Sequence, residues 1–452
     1  MDGFVQRRLV DPALEKFLEA QGAGPTAPGW TPQQLALAAL YFHPALREQA
    51  ADVEIARAAE VTAGTPPQLA ASAEVSRAAR VDEGKSTPWS VSLLGGLTLE
   101  TGGKRAARRA RARAFTLASM LRLQAAGWQL GAISTARAAV RALGADQEVA
   151  DAASEHTALA ELETLVRARY GEGRVTLADV AQAETESQTA LVGAVQTERA
   201  RTTARLELAR ALAVPLRAVD SLSLRPDTGQ ACALGAARFD SLGTLALRQR
   251  YDMGAALADY AVAEGDLRVE IARQYPDLTI GPGIAWDQGI FRWILSLGTP
   301  GILRTINRGP LAEARARRAA LAAHVTTIQD SLLVAVDSAV AACRDASREG
   351  EATALLVESA SRSLRLERSA YDRGETGQTE VAFAQVAVVR ATRARHLAEQ
   401  RALEAEAALE SVIGAWPDDG PRWPDLNTLT TLFRATASAA PAGRERPEEM
   451  KQ

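Results

Sequence analysis

Apolar and polar positions along the chain follow two periods that take turns. Residues 89–100, WSVSLLGGLTLE, alternate with a period of two. Trp89, Val91, Leu93, Leu97 and Leu99 share one face, and Ser90, Ser92, Thr98 and Glu100 the other. Residues 68–78 alternate in the same way, with Leu69, Ala71, Ala73 and Val75 opposite Gln68, Ser72, Glu74 and Ser76. Around these strands the period is helical. It predicts a helix that begins at Thr31 as N-cap with Pro32 behind it, runs to about Ala63 and stops at GTPP. From Gly103 the helical pattern continues to about Tyr170, with soft spots at Gly127, Gly131 and Gly144, a span on the order of 100 Å. A break, GEGRV, then sends a second long helix back to about Val214.

The same order of events follows again. A helix over about 241–274 ends in QYPDL and leads into two more alternating strands. The first presents Leu278, Ile280, Ile284 and Trp286 on one face, the second Phe291, Trp293, Leu295 and Leu297. Pro282 weakens the first of these, because proline donates nothing to a ladder. A helix from Pro310 to Tyr371, a break at DRGETG and a returning helix to about Trp416 complete the unit. The duplication is legible residue by residue: RARYGEGRVTLADVAQAE (167–184) aligns without a gap with RSAYDRGETGQTEVAFAQ (368–385). Tyr170 meets Tyr371, Gly173 meets Gly374 and Asp179 meets Glu380; earlier, TPPQL (65–69) meets QYPDL (274–278).

The expected organisation is therefore an N-terminal extension (1–30), a first repeat (31–214), an irregular inter-repeat segment (215–240), a second repeat (241–416) and a largely disordered tail (417–452). The first repeat carries strands at about 68–78 and 89–100 and a hairpin tip at about 171–176; the second carries strands at about 277–287 and 290–298 and a tip at about 372–377. The fold class is mainly α with a small β part.

The strands have apolar outer faces with Trp89, Trp286, Phe291 and Trp293 near their ends, where interfacial aromatics of membrane barrels sit. Their other faces carry Ser, Thr, Gly, Asp and Glu. Four strands in lipid leave two edges whose unpaired groups each cost several kcal/mol. Several chains must then share one barrel, and three copies supply twelve strands. A soluble sheet capping a helical bundle, with the tryptophans in its core, is the competing reading.

Composition sharpens this picture. Hydrophobic residues make up 47% of the chain but aromatics only 5%, with alanine prominent, which suits long helices in narrow seams rather than a globular core. A net charge of −3 argues against general nucleic-acid affinity, and KRAARRARAR (104–113) reads as the solvated start of a long helix. Cys232 and Cys343 lie far apart, and His43, His156, His324 and His396 are scattered, so the spacing argues against a disulfide or a zinc site. Trp128 and Trp416 are expected to pack rather than bind, and Glu313–Arg317 to form a surface bridge. The first twenty residues show no signal-peptide pattern, no cysteine near the N-terminus suggests a lipid anchor, and no continuous apolar stretch of about 18 residues occurs. No phosphate loop, nucleophile elbow or HExxH motif is present, so neither an enzyme nor a cofactor is expected.

The order of elements, the ETGGKR turn after the second strand, the YPDL before the third and the glycine breaks at both hairpin tips resemble the TolC-type outer-membrane efflux protein family over residues 31–416. The resemblance implies a homotrimer whose long hairpins form an α-barrel and whose strands share a 12-stranded barrel in the outer membrane lipid. It further implies a periplasmic extension that meets an adaptor protein and an inner-membrane pump, and passive outward transport of drugs, metal ions or other cargo. It also assigns roles near the tips, Gly173 and Gly374. Six positions beyond Gly374, Glu380 is expected to ring a constriction, with Phe383 where the family often has another acid. Asp179 is expected to bond across to Tyr371 as an entrance latch. The alternative is a soluble, elongated coiled-coil scaffold that binds partners through its hairpins.

Overall fold

The computed structural model describes residues 2–24, 29–80, 83–226, 232, 236–299, 307–414 and 422–438. Trp416 and residues 439–452 of the expected tail lie outside them. In chain order the helices are α1 (Asp2–Val5), α2 (Pro12–Ala20), α3 (Pro32–Phe42), α4 (Pro44–Gly64), α5 (Lys104–Trp128), α6 (Ala136–Gly171), α7 (Leu177–Leu212), α8 (Ala236–Gln249), α9 (Tyr251–Ala272), α10 (Arg308–Asp372), α11 (Gln378–Ile413) and α12 (Leu426–Ser438). The strands are β1 (Ala70–Arg77), β2 (Trp89–Leu99), β3 (Leu278–Asp287) and β4 (Ile290–Gly298).

The chain divides into two compact units. A sheet unit comprises Gln49–Leu123 and Asp252–Gln329, and a hairpin unit Met1–Glu48, Gln124–Tyr251 and Asp330–Gln452. In the sheet unit the four strands form one antiparallel meander in the order β1-β2-β3-β4. The central pairing joins β2 of the first repeat to β3 of the second. Pro282 does not prevent β3 from forming, but the ladder to β2 lapses beside it, between Leu94↔Gly283 and Leu97↔Ile280.

In the hairpin unit α3 is buried almost all round, including Leu35, Leu37 and Leu40, as expected of a helix apolar on every side. Thr31 caps it in a reciprocal box with Gln34. The single helix expected over 31–63 is two helices, because Pro44 lacks an N–H and restricts His43 to an extended backbone. The helix expected over 241–274 also breaks, at Arg250, whose guanidinium donates to the Ser411 carbonyl at 2.6 Å. Of the soft spots, Gly127 precedes and Gly131 lies within a π-helical turn, Gln129–Thr135, between α5 and α6. A side chain at Gly131 would meet the Trp423 ring at 2.7 Å and the Ala36 carbonyl at 2.8 Å. Trp128 is buried there, donating to the Ser411 carbonyl.

Three expectations are corrected. The tail is not wholly irregular: α12 is capped by Asp425 and buries Leu429 and Phe433, four residues apart on one face. One described helix, α10, is long and apolar enough to cross a membrane by length and composition, and only 11% of that window is buried within the chain. Mixed apolar and small polar residues meet the criterion without a continuous apolar run. Finally, Cys232 and Cys343 form a disulfide, with Cα atoms 5.3 Å apart. Cys343 is buried beside Leu242, Ala246, Ala339 and Leu409, and a separation of 111 residues in sequence says nothing about that proximity.

Removing the bridge should destabilise the hairpin unit. Cys232→Ala is expected to cost about 2–4 kcal/mol, the usual worth of a disulfide closing a long loop. Thermal unfolding with and without reductant checks it: a lower Tm under reducing conditions is expected for the native chain alone, and equal melting of native and variant would contradict the bridge.

Candidate functional site

Two regions carry functional potential, one in each unit. In the sheet the register places Val91 opposite Trp286, Leu93 opposite Ile284 and Leu99 opposite Leu278. Across the next pair Trp286 faces Phe291, Ile284 faces Trp293 and Ile280 faces Leu297. Period-two geometry therefore gathers these side chains on one face. Trp293 is 81% exposed, Phe291 55%, Trp89 48% and Trp286 38%. Those values exclude the competing reading in which the tryptophans form a soluble core within the chain. The opposite face is polar at one end, where Asp287 accepts from Lys85 at 2.9 Å and from Ser90 at 2.8 Å. Among the described residues β1 and β4 have no strand on their outer edges.

The two motifs flanking the sheet meet in one joint. Thr101 donates its N–H to Asp277 at 3.0 Å and its hydroxyl to the Pro276 carbonyl at 2.5 Å. Lys104 pairs with the same Asp277 carboxylate at 2.7 Å. Gly102 has φ +64°, and a side chain there would lie 2.7 Å from Tyr275. The arginine run continues the theme: Arg108 pairs with Glu100, Arg111 with Asp266 and Arg113 with Glu60. The run is the largely solvated start of α5, as expected, and these exposed pairs reach its neighbours within the sheet unit.

In the hairpin unit, α6 and α11 form a seam. Near its far end the Gln400 side chain occupies the space that a side chain at Gly144 would need. Next come His396 with Asp151 at 2.9 Å, Arg393 between Glu148 and Glu155, and Arg390 with Glu155 at 2.9 Å. Towards the tips the seam turns apolar, with Ala158, Leu162 and Val166 packed against Ala382 and Val386. Burial raises the pKa of the Glu155 carboxyl, but hydrogen bonds and charge from Arg390 and Arg393 outweigh it and hold the group below its ordinary value.

Both tips are built alike. Gly173 and Gly374 adopt φ +70° and +73°, and the N–H groups of Arg174 and Glu375 close 6→1 bonds to the carbonyls of Arg169 and Ala370 at 2.9 Å. They differ at the start of the returning helix. Thr176 caps α7, and the Asp179 carboxylate returns to its N–H and hydroxyl, both at 2.7 Å through Oδ2. These bonds hold the Asp179 pKa below the ordinary carboxylate value. Its other oxygen, Oδ1, has no hydrogen bond among the described residues, and Tyr371 is exposed and unbonded to Asp179. Within one chain Asp179 therefore caps α7 and makes no bond to Tyr371.

In the second repeat the cap position is Gly377, and Glu380 instead reaches Arg169 of α6 at 2.8 Å. Phe383 is exposed one turn further along α11. Burial would raise the Glu380 pKa, but the hydrogen bond and charge of Arg169, together with the backbone groups of Glu380 and Gly377, prevail and hold it below the usual carboxylate range. The pair is half-exposed, so screening keeps its direct worth to about 0–1 kcal/mol. Glu380 Oε2 and Thr376 Oγ1 are buried without a hydrogen bond among the described residues, each at a cost of about 1–3 kcal/mol. Sequence reasoning missed Arg169. The aligned repeats do carry a signal, because Arg169 stands opposite Ala370 and Thr176 opposite Gly377. Among the described residues no cluster of His, Cys, Asp and Glu could hold a metal ion.

No protein-family model and no curated protein matches the sequence. Solved structures do match. The chain is similar to a membrane protein from Pseudomonas aeruginosa at 21% identity and a TM-score of 0.69, covering 87% of this chain and 92% of that one. It is similar to the outer membrane protein VceC from Vibrio cholerae at 20% identity and a TM-score of 0.66, covering 85% and 96%. It is also similar to the open state of the MtrE outer membrane channel from Neisseria gonorrhoeae at 21% identity and a TM-score of 0.62, covering 85% and 89%. The helical fold with its small four-stranded sheet is the fold of these membrane proteins.

The joint between the two motifs is testable by coupling. Gly102→Ala should destabilise the chain through both φ strain and the Tyr275 clash, and Tyr275→Gly, which removes Cβ as well as the ring, should relieve the clash alone. The double variant is then expected to melt higher than the sum of the single losses predicts, by an interaction of about 0.5–3 kcal/mol. Simple additivity would show that Gly102 and Tyr275 do not press on each other.

Proposed function

We propose that this chain is the outer-membrane exit duct of a tripartite export system, of the TolC type, with three copies forming one channel. The observation that carries this reading is the exposed apolar face of a sheet with two unpaired edges, in a chain that has the fold of outer-membrane channels. In hydrocarbon those edges cannot be left open. Pairing β4 of one copy with β1 of the next removes both, and four strands from each of three copies close a twelve-stranded barrel. Trp89, Trp286, Phe291 and Trp293 then meet lipid and its interfaces. The mostly exposed apolar stretch of α10 becomes packing surface between copies rather than a membrane span. The disulfide supports a chain that matures in an oxidising compartment such as the periplasm.

On this reading the protein is a passive conduit and not an enzyme, like the channels whose fold it shares, and works with a periplasmic adaptor and an inner-membrane pump. The hairpin tips form the periplasmic entrance. Glu380 and Phe383 line its constriction, and the unbonded Oδ1 of Asp179 receives the Tyr371 hydroxyl of a neighbouring copy as a latch between chains.

Absolute mass in detergent, corrected for bound detergent, tests the assembly: three chains per particle are expected, and a folded, detergent-independent monomer would end the reading. For the latch between copies, Tyr371→Phe removes one hydroxyl from each contact. Single-channel conductance is expected to rise, and equal conductance would remove Tyr371 from the entrance.

A further inference from the structure

We propose that an open cavity between residues 7–10 and 217–223 binds a small organic dianion, a phosphomonoester or dicarboxylate carried on an apolar body. The cavity has a volume of about 660 Å³ and lies within the hairpin unit. Roughly 300–1,000 Å³ is the usual size of a site for such ligands. Three arginines line it, Arg7, Arg8 and Arg217, and Arg47 stands close enough to act on Arg7 by its charge. Among the described residues none of the four forms an ion pair. Elsewhere the chain matches arginines with carboxylates, as along α5 and along the α6–α11 seam. Here the acid nearest in sequence to Arg8, Asp11, accepts the Ala13 N–H and caps α2. Burial, and then the charge of Arg47, hold the Arg7 guanidinium below its ordinary pKa. Like charges gathered without a counter-charge are a standing cost that a bound anion removes.

Two of the cations are held in place before any ligand arrives. Arg7 Nη1 donates to the Ala213 carbonyl at 2.6 Å, at the C-terminus of α7, and Arg217 Nη2 donates to the Val5 carbonyl. A guanidinium carries several N–H donors, so both keep some for an anion, in the fork that suits phosphate and carboxylate alike. Arg8 makes no hydrogen bond among the described residues, and its donors are all available. The wall behind them is fixed. Trp30 exchanges backbone bonds with Ser223 and Arg225 at 2.9 and 3.0 Å, and a side chain at Gly29 would meet Ser223 at 3.2 Å. Arg205 of α7, 4% exposed, holds the same segment by donating to the Val219 and Leu222 carbonyls. Its carboxylate partner, Asp146, also serves Arg201, which leaves the local field positive. Leu9, Trp30 and Leu222 add apolar surface, so an anion with an apolar body gains contact that a bare ion cannot. The site exists whether or not the chain forms a duct.

Isothermal titration calorimetry on the full chain in non-ionic detergent and low salt tests the site, with phenyl phosphate, phthalate and inorganic phosphate as probes. Saturable binding of phenyl phosphate or phthalate is expected, about tenfold or more tighter than inorganic phosphate and weakened by added salt. The tighter of the two organic probes identifies the anionic group, phosphoryl or carboxylate. Arg8→Gln and Arg217→Gln should each weaken binding about tenfold, the loss of one charge-assisted contact. Arg8 bonds to nothing else among the described residues, so Arg8→Gln should keep the native melting temperature and helical circular dichroism, and its loss of binding is not misfolding. Absence of saturable binding of both organic probes to the folded native protein would overturn the site. So would affinities unchanged in both variants. Inorganic phosphate bound as tightly as phenyl phosphate would also overturn it, leaving a basic surface that takes any anion.

Discussion

Close approach between small-residue helices is the constraint that organises the hairpin unit. Where alanine supplies the contact, two backbones come near enough that a larger side chain needs a hole opposite it or a charge to meet. The unit supplies holes at specific glycines. Gly144 receives Gln400, Gly131 receives Trp423, and Gly377 leaves room for Arg169 and Glu380. Each glycine fixes the register of two segments, because a shift of one residue would drive a side chain into the opposing backbone. Such a seam gains little area per residue, and so the unit is fastened at a few points, including the Cys232–Cys343 bridge.

The α6–α11 seam shows how that fastening is distributed. Its apolar part lies towards the tips, and its midsection is a ladder of carboxylates on α6 against Arg390, Arg393 and His396 on α11. Exposed ion pairs are individually weak, and their order matters more than their sum. Every rung of this midsection pairs an acid on α6 with a base on α11, so slipping the register would break the rungs one by one rather than set like charges against each other. The terminal rung, Arg169–Glu380, reverses that polarity, with the base on α6 and the acid on α11. The reversal suits the helix ends, where a guanidinium belongs at the C-terminus of α6 and a carboxylate at the N-terminus of α11.

Much of this was legible in the sequence. The two-residue alternation of 89–100 and the long helical runs identify the fold class, because burial and exposure repeat with the period of the backbone. The gap-free alignment of 167–184 with 368–385 also places Gly173 and Gly374 in equivalent turns. What escaped is what periodicity does not encode. The proximity of Cys232 and Cys343 depends on how α10 packs, and the partner of Glu380 depends on which α6 residue faces α11. Asp179 has two available bonding patterns, and periodicity does not say which one a single chain forms. The local one, a cap three residues away, needs no partner hairpin and forms within one chain.

Two independent features bear on where this chain works, and they fail in different ways. The apolar sheet face is a statement about solvent: about 25 cal/mol per Å² of exposed apolar area is a standing cost in water that lipid removes. A protein partner covering the same face would remove it too, so the face alone does not choose lipid. The disulfide is a statement about redox environment and is indifferent to lipid; a secreted soluble protein would carry one equally well. An oxidising compartment excludes the reducing cytosol as the site of a stable bridge. The two open edges beside the apolar face exclude a lone chain in hydrocarbon. The strand-sharing duct proposed above satisfies both constraints with the fold this chain has.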